Sequence, residues 1–143
     1  MPDHVTYEQP LNERVRSLMR LEYLMHRFRY HVAGESRWDT HAALITLLEV
    51  FSLTSRGDFK SELMKELERQ IANLAPLIDQ PQVDQGMLRE IVRRQRGAFD
   101  QLHAMTGQLR QHLKNNDFLN SIRQRTSLPG STGDFDLPAY HFW

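Results

Sequence analysis

The sequence predicts an all-α chain folded as a helical bundle. Apolar residues recur at three- and four-residue spacing along most of its length, which is the period of a helix with one face turned inward. Residues that cap or break helices divide that pattern into blocks. No stretch alternates apolar and polar residues strongly enough to build a sheet.

Asn12 is placed to cap a first helix that ends near His31. At about 100° per residue, Val15, Leu18, Leu21, Met25 and Phe28 fall on one side, the predicted core face. The run Ala33-Gly34-Glu35-Ser36 breaks it. A second helix is predicted over residues 39–57, ending on the basic-then-glycine pair Arg56-Gly57. Leu44, Ile45, Leu48, Phe51 and Leu53 leave it little polar face. That composition puts it at the centre of the bundle or at a subunit interface.

Asp58 is predicted to cap a third helix, and Pro76 to stop it. Phe59, Leu63, Leu67, Ile71 and Leu74 form its apolar stripe, while Glu62, Lys65, Glu66 and Arg69 read as a solvated face. After a loop over residues 76–82, Asp84 caps a fourth helix reaching about Met105. Leu88, Ile91, Val92, Phe99 and Leu102 are predicted to point inward. Gly107 interrupts, a weaker helical piece covers residues 109–113, and Asn116 or Asp117 caps a short helix carrying Phe118, Leu119 and Ile122. Residues 128–133 read as a loop. Asp136-Leu137-Pro138 opens a last helix, with Asp136 as its cap. That helix runs straight into Tyr140-His141-Phe142-Trp143, so the chain reads as one helical domain, 1–143, cut short.

Composition narrows the function. The 143 residues are 40% hydrophobic and 25% charged, the range of a soluble globular domain. No apolar run approaches the roughly 18 residues of a spanning helix, and the polar start does not read as a secretory signal. Cysteine is absent, which removes disulfides, thiolate nucleophiles and cysteine-ligated zinc. The expected compartment is the cytoplasm. Eighteen basic residues balance eighteen acidic ones, so neither nucleic acid nor a membrane is expected as a partner of the chain as a whole.

The chemistry of catalysis is missing. No phosphate-binding glycine loop, dinucleotide fingerprint, metalloprotease helix or nucleophile elbow occurs. His26 and His31 are five residues apart, about 140° around a helix, so they do not share a metal. Glu22 lies about 80° from the centre of the core face of the first helix, near Arg29, and reads as a boundary ion pair or a buried hydrogen-bonded carboxylate rather than a general base. No catalytic residue, metal site or cofactor is predicted, and the chain is not expected to be an enzyme.

Basic residues carry more information. Residues 10–31 hold five Arg against two Glu, and residues 84–125 hold seven Arg and Lys114 against four acids. On the first helix Arg16, Arg20 and Arg27 fall within about 40° of one another, opposite the core face, with His31 close by. Arg89, Arg93 and Arg96 form a second stripe on the fourth helix, with Asp100 placed to pair with Arg96. A neutral chain can therefore still present a basic patch to an acidic peptide. The alternatives are a nucleic-acid binder using the Arg89, Arg93 and Arg96 stripe, or a helical oligomerisation module using the apolar second helix.

Three segments resemble a known family. They are the run Tyr7-Glu8-Gln9-Pro10-Leu11-Asn12-Glu13-Arg14-Val15-Arg16 continuing to Leu24, the block Glu62-Leu63-Met64-Lys65-Glu66-Leu67-Glu68-Arg69-Gln70, and the run from Ile122-Arg123-Gln124-Arg125 through Pro129-Gly130 to Phe135-Asp136-Leu137-Pro138-Ala139-Tyr140-His141-Phe142-Trp143. In this order they resemble the ZapD family of bacterial Z-ring-associated proteins. The resemblance implies a cytoplasmic, non-enzymatic, homodimeric protein of the mid-cell division ring. Such proteins bind the C-terminal tail of the tubulin-like protein FtsZ and cross-link its filaments. It also implies a helical domain followed by a β-rich one, of which this chain would be most of the helical part. Arg20 and His141 match family positions credited with tail binding. A third basic family position falls at or beside Asp117, where the charge is inverted and Lys114 or Arg110 is the nearest substitute. Arg16, Arg123 and Arg125 join the candidate set from the helical stripe and from the third segment itself.

Overall fold

The computed structural model describes residues 4–105, 111 and 113–142. These residues form six α-helices and no strand: α1 (Glu13–Val32), α2 (Arg37–Thr54), α3 (Phe59–Leu74), α4 (Gln85–Ala104), α5 (Asp117–Arg125) and α6 (Pro138–Phe142), with a 3-10 turn at Ala75–Leu77. The predicted piece at 109–113, the interruption at Gly107, Arg110 and Trp143 fall wholly or mostly outside the described residues. The chain divides into two compact units, Met1–Leu53 and Thr54–Trp143.

The first unit is a pair of helices. Asn12 Oδ1 accepts from Val15 N–H at 2.9 Å and begins α1, satisfying one of the donors a helix start leaves open. Helix α2 starts two residues earlier than expected. Ser36 is its cap: the hydroxyl accepts from Asp39 N–H at 3.0 Å and donates to Asp39 Oδ2 at 2.6 Å. Asp39 is thus the far half of a reciprocal capping pair rather than the start of the helix. The helix also ends earlier, at Thr54. One face of α2 is buried through Ala43, Leu44, Thr46 and Leu53, its remaining aliphatic residues and Phe51 are half-buried, and Trp38 in its first turn is exposed. The predicted core face of α1 is half-buried throughout, with no residue fully enclosed.

Polar contacts align the pair. Arg27 Nε donates to Thr46 Oγ1 at 2.9 Å, and its guanidinium pairs with Glu49. His31 Nδ1 lies 3.1 Å from Asp39 Oδ1. Gly34, in the turn between the helices, sits against Asp39: a Cβ there would lie 2.7 Å from Asp39 Cβ, with the carboxyl closer still.

In the second unit α3 and α4 pack side by side and antiparallel. Lys60 at the start of α3 donates to Met105 O past the end of α4 at 2.6 Å, and Gln70 meets Gln95 midway. Leu88 and Val92 fill the contact, each 5% exposed. Ile91, expected inward, is 40% exposed, because it lies about 60° further round from Leu88 and α3 covers only one side. Asp58 precedes α3 but makes no side-chain cap bond. Asp84 does cap α4, accepting from Met87 N–H at 3.0 Å.

The face of α3 read as solvated contains a buried carboxylate. Glu66 is 6% exposed. It accepts from Arg69 Nε at 3.0 Å and Gln70 Nε2 at 3.0 Å, and Gln70 Oε1 in turn accepts from Gln95 Nε2 at 2.8 Å. A buried charge persists when its lone pairs are matched in this way.

Helix α5 is capped by Asn116, whose Oδ1 accepts from Leu119 N–H at 2.9 Å, and Asp117 stands in its first turn. Ile122 is fully buried, and Leu137 and Tyr140 complete this small core. The Phe118 and Tyr140 rings meet edge to face at 6.3 Å, and burial pushes the Tyr140 hydroxyl above its ordinary 10. Helix α6 begins at Pro138, so Asp136 lies ahead of the cap position assigned to it and instead faces Arg125 at 3.8 Å.

Candidate partner-binding site

The α1 stripe splits once side chains are placed. Arg27 and His31, expected on the exposed basic line, turn into the contact with α2. Asp39, facing His31, is held below its ordinary 3.8, chiefly by the Ser36 hydroxyl and then by His31 itself. Arg16 and Arg20 remain outward. Arg16 Nε bonds Glu13 Oε1 at 3.1 Å, a one-turn pair that leaves its side chain 43% exposed. Arg20 is exposed, and among the described residues no hydrogen bond or ion pair holds its guanidinium.

Both arginines line an open groove of about 650 Å³ on α1. Met19 and Tyr23 supply its apolar lining, Glu22 and His26 lie further round the helix, and Glu8 and Pro10 of the non-helical segment before α1 complete it. Glu22 is exposed and meets His26 at 4.0 Å, so it is neither a buried carboxylate nor paired with Arg29. Sequence reasoning found the cations but missed the apolar strip beside them. The signal was present: Met19 and Tyr23 are four residues apart and lie off the predicted core face.

The other candidates belong to the second unit. Lys114 is exposed, and its carbonyl accepts from Asn120 Nδ2 at 2.6 Å. Arg123 is exposed, and Arg125 reaches towards Asp136. His141 is engaged at both nitrogens: Nε2 lies 2.8 Å from Thr132 O and Nδ1 lies 2.7 Å from Asp134 Oδ1. Filling both contacts takes both ring N–H groups. His141 therefore clasps the loop before α6, and contacting a partner would mean exchanging one of these bonds.

The α4 stripe is largely engaged. Arg89 bonds Asp79 at 2.8 Å, and Arg93 holds Glu90 through two bonds of 2.8 and 2.7 Å. The Arg93 fork keeps the Glu90 carboxyl below its ordinary value and raises Arg93 itself. The pairing expected between Arg96 and Asp100 does not form among the described residues. Nor do three His, Asp or Glu side chains there converge as a metal site needs, and no helix among them is long and apolar enough to cross a membrane.

A family model described as ZapD, cell division protein, matches residues 19–143. The chain belongs to the ZapD family. The match covers Arg20, Lys114, Arg123, Arg125 and His141, while Arg16 and the N-terminal wall of the groove lie ahead of it. In this ZapD family member, the groove therefore combines a matched segment carrying Arg20, Tyr23 and His26 with an unmatched one carrying Glu8, Pro10 and Arg16.

Proposed function

We propose that this protein binds the C-terminal tail of FtsZ and cross-links FtsZ filaments, acting as a cytoplasmic, non-enzymatic homodimer at the division ring without a cofactor. Membership of a cell-division family carries the reading. The exposed Arg20, which has no partner among the described residues and stands beside an open groove, supports its location on α1. A flexible tail loses entropy on docking, so each contact is weak, on the micromolar scale of about −8 kcal/mol. Arg20 supplies a forked donor for a tail carboxylate. Two weak sites on a dimer gain avidity on a polymer, where neighbouring tails stand at high local concentration. Arg123, Arg125, Lys114 and His141 are secondary contacts in this reading.

The nucleic-acid alternative is disfavoured by the α4 stripe itself. Arg89 and Arg93 already bond carboxylates, which leaves fewer free cations to displace counterions.

Co-sedimentation tests the proposal. The protein should pellet with polymerised FtsZ and not with FtsZ lacking its tail, and Arg20→Glu should abolish pelleting. Equal pelleting with tailless filaments would refute it.

A further inference from the structure

The groove on α1 is graded across its width. At about 100° per residue, the lining side chains follow one another around the helix in the order Arg20, Arg16, Tyr23, Met19, His26, Glu22. Cations occupy one flank, an apolar strip the middle, and a carboxylate the other flank. The contact of Glu22 with His26 is charge-compensated only when the imidazole is protonated.

Tyr23 is the odd member of this surface. The residue is 64% exposed, yet its ring has a fixed neighbour. The Arg27 guanidinium stands 5.8 Å from the ring centroid, and Arg27 is itself fixed by Thr46, which is 1% exposed, and by Glu49. An exposed aromatic ring stacked against a fixed cation loses less freedom when a ligand covers it.

We infer that Met19 and Tyr23 form an apolar anchor seat for a peptide segment carrying an apolar side chain between a carboxylate and a basic group. The carboxylate meets Arg16 and Arg20, and the basic group meets Glu22. Charge complementarity across the groove selects this occupant over a uniformly acidic one, which would meet repulsion at Glu22 and at Glu8. A groove of about 650 Å³ accommodates several side chains of such a segment. This inference rests on the tail-binding reading and adds that the cations alone do not confer recognition.

The test uses fluorescence anisotropy with two peptides: the FtsZ tail, and the same tail with its apolar residues changed to Ser and its charges kept. Wild type, Tyr23→Ala, Tyr23→Phe and Arg20→Glu are compared after circular dichroism confirms their helicity. Tyr23→Ala should weaken tail binding about tenfold, and Tyr23→Phe should stay within about twofold. The Ser-substituted peptide should bind wild type about tenfold more weakly and no longer distinguish Tyr23→Ala. If Tyr23→Ala binds like wild type while Arg20→Glu abolishes binding, the anchor is overturned and the tail reading stands. If Tyr23→Phe is as weak as Tyr23→Ala, the hydroxyl is the recognition element and the apolar anchor is overturned. If folded wild type binds neither peptide, both fall together.

Discussion

Individual side chains decide several contacts that their spacing left ambiguous. Glu66 lies about 80° from the centre of the α3 apolar stripe, a boundary position. Charged neighbours at three-residue spacing made it read as solvated, and only the packing of α4 against Gln70 encloses it. Glu66→Ala should destabilise the fold by about 1–3 kcal/mol in urea titration, since the Gln70 amide loses its acceptor. A change below about 0.5 kcal/mol would restore the solvated reading. Asp39 gives a pH signature. Its folded value is depressed, so its contribution is complete above its ordinary 3.8 and is lost as pH falls through the folded value. The Tm difference between wild type and Asp39→Asn should be constant above about pH 5 and shrink below about pH 4. A difference that instead grew on acidification would contradict the assignment. The outward fate of Arg20 and the inward fate of Arg27 were equally hidden: both sit on one stripe, and only the position of Thr46 and Glu49 on α2 separates them.

At the scale of elements, capping chemistry was the most legible signal. Asn12, Asp84 and Asn116 start their helices as the sequence indicated, each accepting from an N–H three residues on. Local hydrogen bonds of this kind depend on nothing beyond a few adjacent residues. Ser36 was overlooked because it closes a breaker run, and Asp136 was mistaken for a cap because Pro138 fixes the helix start beyond it. The turn between α1 and α2 yields a test. Gly34→Ala puts a methyl group into the Asp39 side chain and should separate Asp39 from His31. A lowered Tm, together with loss of the pH effect seen for Asp39, is the expected result. Gly133→Ala is a contrasting control, because the nearest atoms to its Cβ belong to the exposed Phe135 ring, which can move aside.

For the molecule as a whole, helical period and family likeness carried the architecture, while the candidate site was legible only in part. The cations of α1 stood out against a neutral total charge, but the apolar strip beside them needed the groove to become visible. The six predicted contacts divide between the two units, with Arg16 and Arg20 in one and the rest in the other. Arg20 is the residue on which the account turns. The most direct measurement is a titration of fluorescent FtsZ C-terminal tail peptide into wild type and Arg20→Glu, at about 50 mM and about 500 mM salt. The account predicts micromolar binding that weakens with salt and disappears in Arg20→Glu. Wild-type binding that Arg20→Glu leaves unchanged at both salt concentrations would contradict it.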